Sequence, residues 1–202
     1  MKPTTCIAGS TAVLGATLID LVMTMAVVMV MSGVSAPVIA NAVEDGRLRH
    51  AAGFVATRFR LARSRAAAAT TAVAVLFDRA AGGGWQFRVC EDGNGNGVRR
   101  ADVDAGRDRC VEGPHDLAAL FPGVEIASSS SVRGPDGEPG SADPVRFGSA
   151  DAASFSPAGT CTSGSLWLRN RSGSLFMVRV AGVTGRTRVL KYDPAAGLWR
   201  DQ

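Results

Sequence analysis

An apolar run near the N-terminus limits what this chain can fold into more than any other feature. The run extends from Ala16 to Ala36 and contains one ionisable residue, Asp20, with no lysine or arginine. Twenty-one residues in an α-helix rise roughly 30 Å, about the thickness of the hydrocarbon core of a bilayer. The run therefore predicts a membrane-spanning helix over residues 16–39, preceded by a short leader over residues 1–15.

The helical pattern continues beyond the apolar run. Small and apolar residues recur at intervals of three and four along one stripe: Leu48, Ala52, Val55, Phe59, Ala62, Ala66 and Ala69. This spacing is typical of an amphipathic helix that buries one face. We therefore expect the membrane helix to continue as a stem over residues 40–70. We expect Pro37 to kink it, because proline removes one i→i−4 hydrogen bond.

Beyond Thr70 the pattern changes to the two-residue period and the short apolar runs that are typical of β-strands. The predicted strands are Ala72–Phe77, Trp85–Cys90, Val124–Ala127, Val145–Phe147, Ser165–Arg169, Leu175–Val180 and Thr187–Tyr192. A long helix followed by many short strands indicates an α+β fold, in which the helix packs on an antiparallel β-sheet or sandwich. This head is expected to occupy residues 71–202.

The net charge of +4 is distributed unevenly along the chain. Arg47 to Arg65 contains six arginines and no acid. Residues 66–165 contain eight basic and thirteen acidic side chains, and residues 166–202 contain seven basic and two acidic ones. The pattern suggests separate contact surfaces, with solvated surface charge as the alternative. It is too mild for a dedicated nucleic-acid-binding domain.

The four cysteines predict at most one disulfide. Cys6 falls in the leader, Cys161 stands alone, and Cys90 and Cys110 bracket a loop rich in glycine, asparagine and aspartate. A cysteine pair that closes a loop downstream of an export segment fits an oxidising compartment, so a disulfide is favoured over free thiols. With no CxxC motif and only two histidines, a zinc site is not expected.

The loop between these cysteines resembles the start of an EF-hand. Asp92, Asn94 and Asn96 alternate with glycines, and a glycine occupies the sixth position. The twelfth position is Val103, where an EF-hand has a bidentate glutamate. The alternatives are therefore an irregular calcium site and, more commonly for such sequences, a set of tight turns.

The segment Gly15-Ala16-Thr17-Leu18-Ile19-Asp20-Leu21 resembles the prepilin peptidase site of type IV pilins and type II secretion pseudopilins. In those families a glycine precedes the cut and an acidic residue is fifth in the mature chain. Pilin helices also carry a proline where this chain has Pro37. Two departures from the family are Ala16 in place of phenylalanine or methionine, and Asp20 in place of glutamate.

Three later segments resemble the GspH/FimT family in particular. They are Leu61-Ala62-Arg63-Ser64-Arg65-Ala66, Phe155-Ser156-Pro157-Ala158-Gly159-Thr160 and Val183-Thr184-Gly185-Arg186-Thr187-Arg188. The resemblance implies a minor pseudopilin of a type II secretion system, anchored in the inner membrane with its head in the periplasm. Its partners would be prepilin peptidase, other pseudopilins or pilins, and membrane lipid.

Processing in those families implies roles for three residues here. Cleavage between Gly15 and Ala16 would leave an α-ammonium, N-methylated, on Ala16. A carboxylate in an apolar membrane helix costs about 2.5–3.5 kcal/mol unless it is paired. The resemblance implies that Asp20 neutralises the terminal amine of a neighbouring subunit during assembly. The alternative is a tolerated aspartate near the lipid interface.

Basic residues near the C-terminus raise a second possible function. FimT-like minor pilins implicated in DNA uptake carry a similar Gly-Arg-x-Arg, and phosphate contacts need only clustered cations. Arg186, Arg188 and Lys191 are therefore candidate DNA contacts, which makes a type IV pilus minor subunit the alternative function. Secretion pseudopilins also show a Gly-Arg here, so the motif does not separate the two.

Two further alternatives concern the N-terminus and catalysis. The apolar run could be an ordinary signal peptide cut near Ala40-Asn41-Ala42, which would leave a secreted β-rich binding protein. The acid within the run and the stripe beyond the cut speak against that. No nucleophile elbow, HExxH or P-loop motif occurs, so neither catalytic residues nor a cofactor is expected.

Overall fold

The computed structural model of the protein describes residues 17–202, apart from the side chains of residues 34–37. Its longest element is helix α1, Leu18–Ala69, of 52 residues. The strands are β1 (Val73–Arg79), β2 (Trp85–Glu91), β3 (Arg109–Asp116), β4 (Val124–Glu125), β5 (Val145–Arg146), β6 (Ala152–Phe155), β7 (Gly164–Asn170), β8 (Leu175–Val180), β9 (Thr187–Asp193) and β10 (Leu198–Asp201). The short helices are α2 (Arg100–Asp104), α3 (Leu117–Leu120) and a single 3₁₀ turn (Gly148–Ala150).

The chain divides into two compact units, and the boundary between them follows Ala40. The first ends at Ala40, and the second extends from Asn41 to Gln202. In the first unit, every described side chain from Leu18 to Ala40 is exposed. The second unit comprises the rest of α1, called the stem below, and all ten strands, called the head.

Two antiparallel sheets form the head. The strand order is β3-β2-β1-β6 in the first and β10-β9-β8-β7-β4 in the second, where the short strand β5 also pairs with β7. The predicted α+β fold with a long N-terminal helix and antiparallel sheets is therefore confirmed.

The buried stripe of the stem packs into the main hydrophobic core with the inward-facing residues of both sheets. Phe59 has no exposed surface, and its ring lies 5.5 Å from that of Phe147, 6.2 Å from Phe155 and 6.3 Å from Phe77, centroid to centroid. Leu48, Ala52 and the other stripe residues as far as Ala66 are buried as predicted, whereas Ala69 is exposed.

Both sheets also bury part of their outer faces. On β8, Phe176 and Val178 face the main core, while Leu175 and Met177 pack with Trp167 in a second cluster. A third cluster forms around Ala74, Leu76 and Cys90 on the first sheet. Strands buried on both faces read as continuous apolar runs, which is the pattern of β1 and β8.

All seven predicted strands are present, with shifts of no more than two residues at their ends. Sequence reasoning missed three strands, β3, β6 and β10. Each of them lies at an edge of a sheet, where only one side is paired and the alternation of apolar and polar residues is weak.

Candidate functional site

The start of α1 carries the residues that matter most for the pilin-like interpretation. Gly15 and Ala16, the predicted cleavage pair, lie outside the described residues. The helix begins at Leu18, and Thr17 precedes it as the N-cap. Asp20 lies in the first turn and is hydrogen-bonded to Thr17.

Thr17 and Asp20 form a reciprocal capping box. The backbone N–H of Thr17 donates to Oδ2 of Asp20 across 3.0 Å, and the Thr17 hydroxyl donates to the same oxygen across 2.7 Å. In return, the backbone N–H of Asp20 donates to Oγ1 of Thr17 across 3.3 Å. Such a pair satisfies orphan donors at a helix start. The spacing of Thr17 and Asp20 already contained this signal, which sequence reasoning overlooked.

The segment that follows is suited to a membrane. Its mean hydropathy over an 18-residue window is 2.0, and the helix is long enough and apolar enough to cross a bilayer. Pro37 lies within α1, although the structure does not describe its side chain. The kink expected there remains a prediction.

The disulfide between Cys90 and Cys110 is present, as predicted. The two residues lie opposite each other in the register of β2 and β3. Cys161 has a free thiol, is half-buried, and donates its S–H to the carbonyl oxygen of Ala181 across 3.3 Å. Burial raises the pKa of this thiol, although the nearby Arg63 opposes the change. The thiol form is thus favoured at neutral pH.

The loop closed by the disulfide is held by its own carboxylates. Oδ2 of Asp92 accepts the backbone N–H of Gly97 across 2.7 Å, and Oδ1 accepts those of Gly95 and Asn94. Burial would raise the pKa of Asp92, but these backbone hydrogen bonds outweigh it, so the pKa is lowered.

Two further carboxylates complete the same loop. The carboxylate of Asp108 accepts hydrogen bonds from the backbone N–H groups of Gly93 and Arg99. The carboxylate of Asp102 accepts hydrogen bonds from the side chains of Asn96 and Arg107. Across residues 17–202, no group of three histidine, cysteine or acidic side chains is arranged to hold a metal ion. These contacts favour the tight-turn interpretation of Asp92, Asn94 and Asn96 over an irregular calcium site.

The basic residues proposed as DNA contacts do not share one face. Neighbouring residues of a strand point to opposite sides of its sheet. Lys191 therefore points with Val189 toward the main core and the stem, whereas Arg188 points with Leu190 toward the outer cluster. By the same alternation, only Arg186, which immediately precedes β9, and Arg188 point to the same side of the sheet.

Two of these three cations are also neutralised within the chain. Nζ of Lys191 lies 2.7 Å from Oδ2 of Asp45 on the stem. Arg188 forms an ion pair with Asp201 across 2.6 Å. Arg179, which lies opposite Arg188 in the register, is paired with Asp136 and Glu138. Of the three candidates, only Arg186 is exposed with no carboxylate partner among the described residues.

Gly185, the glycine of the Gly-Arg motif, has a structural role that its sequence context did not reveal. It is buried, has φ +62°, and lies directly beneath Arg63 of the stem. A Cβ atom added there would lie 2.9 Å from Cδ and Nε of Arg63 and 2.9 Å from the carbonyl oxygen of Gly159. The absence of a side chain at Gly185 thus allows the turn between β8 and β9 to approach the stem closely.

Comparisons of the chain with protein-family models, curated proteins and solved structures find no match.

Proposed function

We propose that this chain is a minor pseudopilin of the GspH/FimT type, which acts in a type II protein secretion system. Prepilin peptidase would cut it between Gly15 and Ala16. The apolar part of α1 would anchor it in the inner membrane, and the head would lie in the periplasm. Its action is mechanical rather than catalytic: it joins or caps a short pseudopilus through its N-terminal helix.

The observation that carries this proposal is the position at which α1 begins. The capping box of Thr17 and Asp20 starts the helix two residues beyond the proposed cut. A mature chain that began at Ala16 would therefore enter its helix almost at once. An ordinary signal peptide cut near Ala40 would instead divide α1 and discard this cap.

The exposure of α1 supports the same proposal. Its described side chains from Leu18 to Ala40 are exposed, including Leu18, Ile19 and Met29 at 81%, 69% and 72%. An exposed apolar surface of this extent requires lipid or other helices around it. The stem that follows in the same helix is instead buried by the head.

The head supports export to an oxidising compartment. A disulfide joins β2 to β3, and disulfides persist outside the reducing cytosol. A periplasmic head agrees with that chemistry. Membership of a type IV pilus with a DNA-uptake role would use the same anchor. We rank it second because the cations proposed to bind DNA lie on both faces of β9 and two of them are paired.

N-terminal sequencing of the full chain extracted from membranes tests the proposal. Co-expression with a prepilin peptidase should give a mature protein that starts at Ala16. Gly15→Leu should leave the precursor uncut, whereas Gly9→Leu, a matched change within the leader, should be processed normally. A mature start near residue 43, or normal cutting of Gly15→Leu, would overturn it.

A further inference from the structure

A groove on the second unit lies outside everything assigned above. It has a volume of about 480 Å³ and runs between the stem and the turn that follows β6. The stem contributes Arg60, Arg63, Ser64 and Ala67, and the turn contributes Pro157, Ala158 and Gly159. The four stem residues are spaced i, i+3, i+4 and i+7, so they occupy one face of the helix.

Two guanidinium groups line this groove without a counter-charge. They belong to Arg60 and Arg63, and Arg63 packs on Gly185. Both arginines are exposed. Neither forms an ion pair with a carboxylate of residues 17–202.

Other stem arginines show the contrast. Arg58 is paired with Glu112 on β3 across 2.7 Å, and Arg65 lies 3.8 Å from the same carboxylate. The head therefore neutralises Arg58 and Arg65, whereas Arg60 and Arg63 keep their charge at the groove. Cations gathered without counter-charges create a positive potential that attracts an anionic partner.

The floor of the groove identifies the kind of anion. Ala67, Pro157 and Ala158 give it small apolar walls, and pockets of about 300–1,000 Å³ with apolar walls and a few placed charges are typical binding sites. Duplex DNA is bound chiefly through many phosphate contacts, about 6–10 for a typical site. Two arginines that line a recess with apolar walls fit a peptide chain with acidic side chains better than a duplex.

We propose that this groove binds an acidic peptide segment of a neighbouring protein subunit, with Arg60 and Arg63 contacting its carboxylates. The identification of the partner as a subunit rests on the proposed function. A second copy of this chain offers acidic side chains of its own, since residues 66–165 contain thirteen acids against eight basic residues.

The test is a fluorescence anisotropy titration of the full chain in detergent micelles. The probe is a labelled twelve-residue peptide of alternating glutamate and alanine, compared with its glutamine counterpart and with a short DNA duplex. The glutamate peptide should bind, and its affinity should fall with added salt. The glutamine peptide should not bind.

Variants assign the binding to the groove. The double change Arg60→Gln and Arg63→Gln should weaken binding of the glutamate peptide about three- to thirtyfold. A matched double change removes the same charge from exposed arginines elsewhere: Arg133→Gln and Arg171→Gln. This control should retain the affinity within about twofold. Arg63→Lys, which keeps the charge above Gly185, should also bind.

Three results would overturn the inference: no binding of the glutamate peptide, an equal loss in both double variants, or tighter binding of the duplex through the same arginines. The last would assign the groove to nucleic acid. None of these outcomes depends on processing at Gly15. Failure of the peptide-binding test therefore does not affect the proposed function. A mature N-terminus other than Ala16 likewise does not affect the inference about the groove.

Discussion

Nζ of Lys191 donates a hydrogen bond across 2.7 Å to Oδ2 of Asp45, a residue 146 positions earlier in the chain. The contact joins β9 to the first turns of the stem. Asp45 also accepts a hydrogen bond from the side chain of Asn170 at the end of β7. One carboxylate thus holds the stem against two strands of the second sheet, and Lys191 is committed to the fold.

This contact predicts a pH-dependent contribution to stability. Burial would raise the pKa of Asp45, but hydrogen bonds from Lys191, Ser174 and Asn170 outweigh it, so the folded-state pKa is lowered. A lowered pKa means that the stabilisation is present above the unfolded pKa of about 3.9. It is lost as the pH falls through the folded-state pKa.

Thermal unfolding of the wild type and Asp45→Asn measures this contribution. Because both partners are about one-third exposed, we expect the variant to lose about 0.2–1 kcal/mol at pH 7. The difference should vanish at pH values below both the folded and the unfolded pKa. An equal difference at neutral and strongly acidic pH would assign the effect to packing rather than charge. Lys191→Gln is the partner control.

Gly185→Ala should destabilise the head more than its backbone conformation alone explains. The new Cβ atom would lie 2.9 Å from the Arg63 side chain and the Gly159 carbonyl. Gly197→Ala is the matched control, because Gly197 has φ +65° and open space around its Cβ position. Strain from positive φ costs roughly 1–3 kcal/mol at either site. We expect a larger loss at Gly185, measured by denaturant unfolding, and equal losses would refute the close approach.

Substitutions of Asp20 separate helix capping from charge pairing. Asp20→Asn keeps a side-chain oxygen that accepts hydrogen bonds from Thr17 but removes the charge, whereas Asp20→Ala removes both. Loss of a cap costs about 0.5–2 kcal/mol of helix stability. The proposed role in assembly predicts that both variants are processed and inserted, and that both fail to enter the filament.

Co-purification with neighbouring pseudopilins, together with a secretion assay, gives the readout for this comparison. If Asp20→Asn assembles normally and Asp20→Ala does not, the residue acts as a cap. Normal assembly of both variants would make the carboxylate dispensable.

The disulfide should contribute measurably to the stability of the head. It closes a loop with a sequence separation of 20 residues. In the chain-entropy model, closing a loop of this length stabilises the folded state by roughly 3 kcal/mol. We expect the double change Cys90→Ser and Cys110→Ser to lower the unfolding temperature and to expose the loop to proteolysis. Cys161→Ser, which removes the free thiol, is the control and should unfold nearly as the wild type does.

Non-reducing peptide mapping checks the pairing directly. A linked pair of peptides containing Cys90 and Cys110 is expected from protein exported to the periplasm. Alkylation of both cysteines without prior reduction would show that the bond does not form there.

Features set by local periodicity could be read from the sequence. The stripe from Leu48 to Ala66 predicted a helix with one buried face, and the apolar runs of β1 and β8 predicted strands. The side-chain period of a helix or a strand depends only on local backbone geometry, so neighbouring residues carry the signal. The same holds for the spacing of Thr17 and Asp20.

The edge strands and the charge pairs were decided by the tertiary structure. β3 contains Gly113-Pro114 and few buried side chains, so it forms because β2 offers a partner rather than because its own sequence favours a strand. Arg188 and Lys191 looked alike in the sequence as cations of one basic segment. They differ in the structure because β9 turns them to opposite faces. Arg188 meets Asp201 on the neighbouring strand β10, and Lys191 meets Asp45, 146 positions earlier in the chain. A contact between residues far apart in sequence depends on how the elements pack, and no local pattern records it.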